Sequence, residues 1–164
     1  MANPNIRTVT GKSTIPAGAA QAGTFTVNSG HTDRLDYSGT EEDLNTILGQ
    51  GQFNSTQEKN NLWIYMPDEN LCVRVLSWGG TVVKVDGDCT GVSAADWELV
   101  EGTLCGWSVL NQGAADAAIN GQALEAGNSI TDSDAPEATF RRNYMDVVVV
   151  NGTGTSLLIT EKLG

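Results

Sequence analysis

Tyr144-Met145-Asp146-Val147-Val148-Val149-Val150 is followed, after Asn151-Gly152-Thr153-Gly154, by Thr155-Ser156-Leu157-Leu158-Ile159-Thr160. Four successive valines lose side-chain freedom in a helix and cost little in a strand, so the two runs read as strands meeting across a turn. Working outward, Trp107-Ser108-Val109-Leu110 is an apolar run stopped by Asn111-Gln112-Gly113. Ala117-Ala118-Ile119 then leads into Asn120-Gly121, a strong hairpin signal because both central residues of a type I′ turn need φ > 0. Ala126-Gly127-Asn128 marks a further turn before Ser129-Ile130-Thr131. Gly106 to Leu163 is therefore predicted as a β-meander within a mainly β chain, folded as an antiparallel sandwich or small barrel.

Upstream, Leu62–Met66, Leu71–Leu76 and Thr81–Val85 are separated by Pro67-Asp68-Glu69-Asn70 and Gly79-Gly80, which predicts a three-stranded antiparallel meander. Arg74 lies in the apolar middle strand and is expected to meet a carboxylate or extend to solvent. Thr40-Glu41-Glu42-Asp43-Leu44-Asn45-Thr46-Ile47-Leu48-Gly49 predicts the one short helix. Thr40 can cap it, three acids sit at its positive end, Leu44, Ile47 and Leu48 form a stripe, and Gly49 stops it. Gln50–Asn61 reads as a polar connection, and Ser93–Trp97 as a single capped helical turn that delivers Trp97 to the core or to a neighbour.

The chain has 164 residues, which bounds it at one domain or two very small ones; a single domain over 15–164 is expected, with a candidate sub-boundary near 101–106. Residues 1–14 are polar, with Ile6 and Val9 as their apolar members, and are expected to form an extended N-terminal arm. Residues 1–32 carry Arg7 and Lys12 and no acid, +2, whereas residues 33–164 hold seven basic and twenty acidic side chains, −13. That contrast points to Ile6, Arg7, Val9 and Lys12 as partner-binding residues of the arm. A total of −11 argues against nucleic acid and anionic lipid as partners. Met1-Ala2-Asn3-Pro4 carries no charged segment leading into an apolar core, so cytoplasmic synthesis is expected. Three cysteines without a C-x-x-C spacing, and His31 as the single histidine, do not read as a zinc site.

Other motifs are incomplete. Gly11-Lys12-Ser13-Thr14 resembles the end of a phosphate loop, but Ile6 stands where the first glycine belongs. Asp86, Asp88 and Thr90 place oxygens at the first, third and fifth positions of a calcium loop with Gly91 sixth, but Trp97 stands where a bidentate Glu is needed. These three are a weak calcium candidate beside an ordinary Asp-Gly turn, and no cofactor is expected. No Gly-x-Ser-x-Gly elbow or histidine-based nucleophile is present, so no enzymatic activity is expected. Trp78, beside Gly79-Gly80, is the candidate exposed platform for a glycan.

The order Trp107-Ser108-Val109-Leu110-Asn111-Gln112-Gly113, then Ala118-Ile119-Asn120-Gly121-Gln122-Ala123-Leu124-Glu125-Ala126-Gly127, a long strand, and Thr153-Gly154-Thr155-Ser156-Leu157-Leu158-Ile159-Thr160 resembles the β domains of small tailed-phage virion proteins. Capsid decoration (cement) proteins are among them. The resemblance covers the last third of the chain and is a pattern of turns. It implies a non-enzymatic virion subunit that binds the major capsid protein or another virion protein, assembles as a homo-oligomer, commonly a trimer, and stabilises the particle. The alternatives are a head or tail fibre accessory protein, or a carbohydrate-binding β-sandwich module using Trp78.

Overall fold

The structure is a computed structural model and describes residues 5–49, 62–101, 104–133 and 147–163. The predicted Gln50–Asn61 connection and the Tyr144–Asp146 start of the valine strand lie outside these residues. In chain order, β1 (Asn5–Val9) and β2 (Lys12–Ile15) come first. A run of short strands comes next: β3 (Ala19–Ala20), β4 (Phe25–Val27) and β5 (Arg34–Tyr37), then α1 (Glu41–Leu48). After the helix are β6 (Trp63–Met66), β7 (Leu71–Gly79), β8 (Val82–Asp86), β9 (Ser93–Ala94) and β10 (Glu98–Val100). The chain ends with β11 (Leu104–Asn111), β12 (Ala117–Ile119), β13 (Gln122–Leu124), β14 (Ser129–Ser133), β15 (Val148–Asn151) and β16 (Leu157–Leu163). The fold is mainly β, with antiparallel sheets and one helix among the described residues.

The chain divides into two compact units, Met1–Ala17 with Gly102–Gly164, and Gly18–Glu101 between them in sequence. The span 15–164, expected as one domain or two very small ones, contains parts of both units. The boundary at Glu101 and Gly102 lies within the 101–106 interval.

The first unit is a sandwich. One sheet has the order β1-β16-β11-β14 and the other β13-β12-β15-β2. Trp107, Val109, Leu157 and Ile159 from the first pack with Ile15, Ile119, Val148 and Val150 from the second in one core. Such alternation, one face into the core and one out, is what antiparallel sandwich strands impose. Two expectations are corrected. Residues 5–15 are not an arm: β1 pairs along its length with β16, and β2 with β15. Nor is Gly106–Leu163 a meander, because β15 and β16 belong to different sheets and do not pair across Asn151–Gly154. The turn residues predicted there instead form an arch between sheets, held by Gly152 N–H donating to the Gly11 carbonyl at 2.9 Å. The Asn120-Gly121 turn is as predicted, with φ of 48° and 78° joining β12 to β13.

The inserted unit is one eight-stranded sheet, β3-β10-β6-β7-β8-β5-β4-β9, with the predicted β6-β7-β8 meander at its centre. Ala95, Asp96 and Trp97 join β9, at one end of the order, to β10 near the other. Such a link is short, at most about 3.5 Å per residue, so the sheet curls around its core. No ladder closes it among the described residues. Phe25, Tyr37 and Trp97 meet inside the curl, with the Phe25 and Trp97 ring centroids 4.6 Å apart. The expected helical turn at Ser93–Trp97 is instead the short strand β9 on β4 and a bend, although Trp97 does reach the core. Helix α1 is capped as predicted: the Thr40 hydroxyl accepts from the Asp43 N–H at 3.1 Å, and Gly49 takes φ = 91°. Leu44 and Leu48 are buried against the sheet.

Candidate functional site

The four residues assigned to an arm separate onto different surfaces. Arg7 points into the sandwich. Its guanidinium meets the Glu161 carboxylate at 3.1 Å and donates to the Ser13 hydroxyl and the Thr14 carbonyl. Asn5 donates to the other oxygen of Glu161 at 3.2 Å, and Glu161 is 1% exposed. A buried carboxylate needs this kind of pairing, since an unpaired one would cost several kcal/mol. Val9 packs against the sandwich core. Ile6, at 61% exposure, and Lys12 stay at the surface. Sequence contrast alone could not show that Arg7 is committed to a carboxylate over 150 residues downstream.

Trp78 is not an exposed platform. It is buried, and its indole N–H donates to Asn45 Oδ1 of α1 at 3.0 Å. Strict alternation along β7 would put Trp78 on the face opposite Val73 and Val75. A register shift between Val75 and Ser77, against β8, returns Trp78 to the core side. Bulges of this kind insert a residue and re-aim the side chains beyond it.

Asp86, Asp88 and Thr90 do not converge. Asp86 ends β8 and pairs with Arg74, directly opposite on β7, at 3.6 Å. The Asp88 carboxylate accepts from the Thr90 N–H and hydroxyl at 2.9 and 2.6 Å, and these bonds hold its pKa below the usual range. The turn closes on itself. Among the described residues no three His, Cys, Asp or Glu stand together as a metal would require.

Two thiols, Cys72 and Cys89, are held in their unreactive form. Burial, with Glu98 nearby, pushes Cys72 up to about 12, and burial with Asp88 and Asp33 raises Cys89 to about 11. The thiolate is the nucleophile, so neither group is primed for attack.

What the fold does build is an outer face on the β1-β16-β11-β14 sheet. Directly paired residues share a face. Ile6, Thr160, Ser108 and Thr131 form one cross-strand row, and Thr8, Leu158, Leu110 and Ser129 the next. A third row brings Gly106 and Lys162. Hydroxyls and aliphatic side chains fill the first two rows, and none of the residues in the three is acidic. The ends of the first two rows are exposed and their centres half-buried. A shallow depression of about 160 Å³ lies against Ser108, Thr131, Thr160 and Lys162. Alternation in Thr155–Thr160 could have signalled part of this face. Its assembly from four distant segments could not be read from the chain.

No family model, curated protein or solved structure matches this chain. Function is therefore argued from its own residues.

The charges divide between the units. Gly18–Glu101 holds four Lys or Arg against thirteen Asp or Glu, −9, and the sandwich unit five against seven, −2. The acid-free face thus belongs to the nearly neutral unit.

Proposed function

We propose that the protein is a structural subunit of a tailed-phage virion, a decoration or cement protein that docks on the major capsid protein through the outer face of the β1-β16-β11-β14 sheet. The observation that carries the docking surface is the absence of any carboxylate from the described rows of that face, in a chain of net charge −11. A large protein partner can cover such a face without desolvating an acid, and its hydroxyls can donate or accept as the partner requires. Mixed apolar and hydroxyl surfaces suit protein contacts better than small-molecule capture, which favours concave pockets. The turn pattern of Trp107–Thr160 supports the virion class by resemblance, and a homotrimer is the assembly that the resemblance implies. The inserted unit, at −9, would keep free copies apart before attachment.

Co-sedimentation with purified phage heads stripped of their accessory proteins tests this reading. Saturable binding is expected, and Thr131→Asp with Thr160→Asp should weaken it at least tenfold without loss of the folded sandwich. Failure of the parent protein to bind, or unchanged binding by the folded double variant, overturns the docking assignment.

A further inference from the structure

Arg34 of β5 stands directly opposite Lys84 of β8, and Ser77 of β7 stands opposite Lys84 on the other side. Like charges facing each other across an antiparallel pair repel and weaken the ladder. The arrangement is more conspicuous because this unit has only four cations among thirteen acids. Arg74 shows the ordinary solution, a carboxylate from Asp86 directly opposite. Among the described residues Arg34 and Lys84 have no such ion pair, although Asp36 and Asp86 lie two positions along the same strands. Each of those acids has its own partner: Asp36 accepts from Asn28 Nδ2 at 2.7 Å, and Asp86 is taken by Arg74.

A second observation is independent of charge. Arg34 Nε is buried and lacks a hydrogen-bond partner. A guanidinium donor shut away from water without an acceptor is costly, which leaves the terminal nitrogens of Arg34 as the groups that an outside acceptor can reach. Beside it is a hollow of about 270 Å³ lined by Arg34, Ser77, Trp78, Gly79, Val82 and Lys84, with no carboxylate in its wall.

We propose that this hollow binds a carboxylate, held between the Arg34 guanidinium and the Lys84 ammonium with the Ser77 hydroxyl as a further donor. A guanidinium fork matches the two oxygens of a carboxylate, and an anion there turns a repulsive pair of cations into two attractive ones. The hollow lies below the roughly 300–1,000 Å³ of typical small-molecule sites, so it accepts one group rather than a whole cofactor. The −9 of the surrounding unit selects a singly charged ligand over phosphate dianions or polyanions. A free organic acid and an acidic side chain of a partner protein share this chemistry.

The test is nitrogen-15 NMR of the arginine Nε–Hε signals of the full chain at fixed ionic strength. Acetate is the free-acid probe, and a short blocked peptide with one aspartate is the side-chain probe. Phosphate and chloride are the comparison anions. Saturable shifts of Arg34 and of the Trp78 indole are expected with a Kd on the order of 1–10 mM. Arg74 should not follow them, and phosphate should bind more weakly than acetate. The stronger of the two carboxylate probes identifies the source. Lys84→Gln should weaken binding at least fivefold, yet melt no lower than the parent in anion-poor buffer because the repulsion is gone. Linear shifts shared with Arg74, tighter binding of phosphate, unchanged affinity in Lys84→Gln, or a much lower melting point for that variant would overturn the proposal. All readings use the free protein, so the result is independent of whether the subunit attaches to a capsid.

Discussion

Replacing Asn111 should damage the sandwich unit more than any change on its surface. Asn111 is fully buried at the end of β11, and its side-chain amide makes four hydrogen bonds. Nδ2 donates to the carbonyls of Ala115 and Leu124 at 2.8 and 2.9 Å. Oδ1 accepts from the Gly113 N–H at 3.1 Å and the Thr155 hydroxyl at 2.8 Å. One side chain thus ties β11 to the connection toward β12, to β13 and to the segment entering β16. In Asn111→Leu, Ala115 and Gly113 can turn to water, whereas the Leu124 carbonyl and the Thr155 hydroxyl each lose a buried partner. At about 1–3 kcal/mol for each, the loss should be roughly 2–6 kcal/mol. At about 4–8 °C per kcal/mol, that corresponds to a melting-temperature drop of roughly 8–48 °C for a unit of this size. Asn111→Asp gives a sharper discrimination. It keeps both acceptor bonds, loses both donors, and places a carboxylate against two carbonyls, so its folded pKa should rise above the unfolded value near 3.9. The added stability of the protonated form is then present below that unfolded value and lost as pH rises through the folded one. Urea denaturation from pH 3 to 8, relative to the parent, should show Asn111→Asp losing stability toward neutrality while Asn111→Leu stays level. An Asp variant as stable as the parent at pH 7, or one whose deficit ignores pH, would refute the four-bond account.

Glu161→Ala should cost about 3–5 kcal/mol by leaving Arg7 without its carboxylate, whereas Arg7→Met with Glu161→Leu should lose far less; a double-mutant cycle in denaturant measures this coupling. Cys72 and Cys89 should resist iodoacetamide at pH 8 in the native protein, as checked by peptide mass mapping. Because burial raises both thiols from 9.0 to about 12 and about 11, stability should fall from about pH 9 upward, where the unfolded chain releases those protons first. Trp78→Phe should cost about 1–2 kcal/mol in thermal unfolding, since it leaves Asn45 Oδ1 without its donor and opens space beneath α1.

Local chemistry was legible wherever one short segment decides it. Thr40 and Gly49 delimit the helix because capping acts within a single turn. Asn120-Gly121 fixes its hairpin because no distant contact is needed to favour positive φ. Strand pairing was less accessible. Turn residues mark where a chain reverses without saying whether it re-enters the same sheet, so Asn151–Gly154 read as a hairpin and proved to be an arch between two sheets. Trp78 failed for a related reason. Its sequence neighbours Gly79-Gly80 suggested exposure, but one extra residue in β7 reverses every later side chain of that strand.

Polarity along residues 1–14 does not show which distant strands complete that segment's backbone. Residues 5–15 have few apolar side chains, and a free segment of that composition would not fold alone. Here it does not fold alone. Its backbone is completed by β15 and β16, and Arg7 is matched by the buried Glu161. The same discontinuity distorted the charge map. A linear division at residue 32 gives +2 against −13, which suggests a basic tail on an acidic body. Joining Met1–Ala17 to Gly102–Gly164 gives −2 against −9, a nearly neutral sandwich interrupted by an acidic insertion. On that division an attachment surface is more reasonably sought on the sheet that β1 completes than in a tail preceding it. Arg7 holds β1 in the sheet through Glu161, and Ile6 and Thr8 lie on the opposite, outer face of that strand.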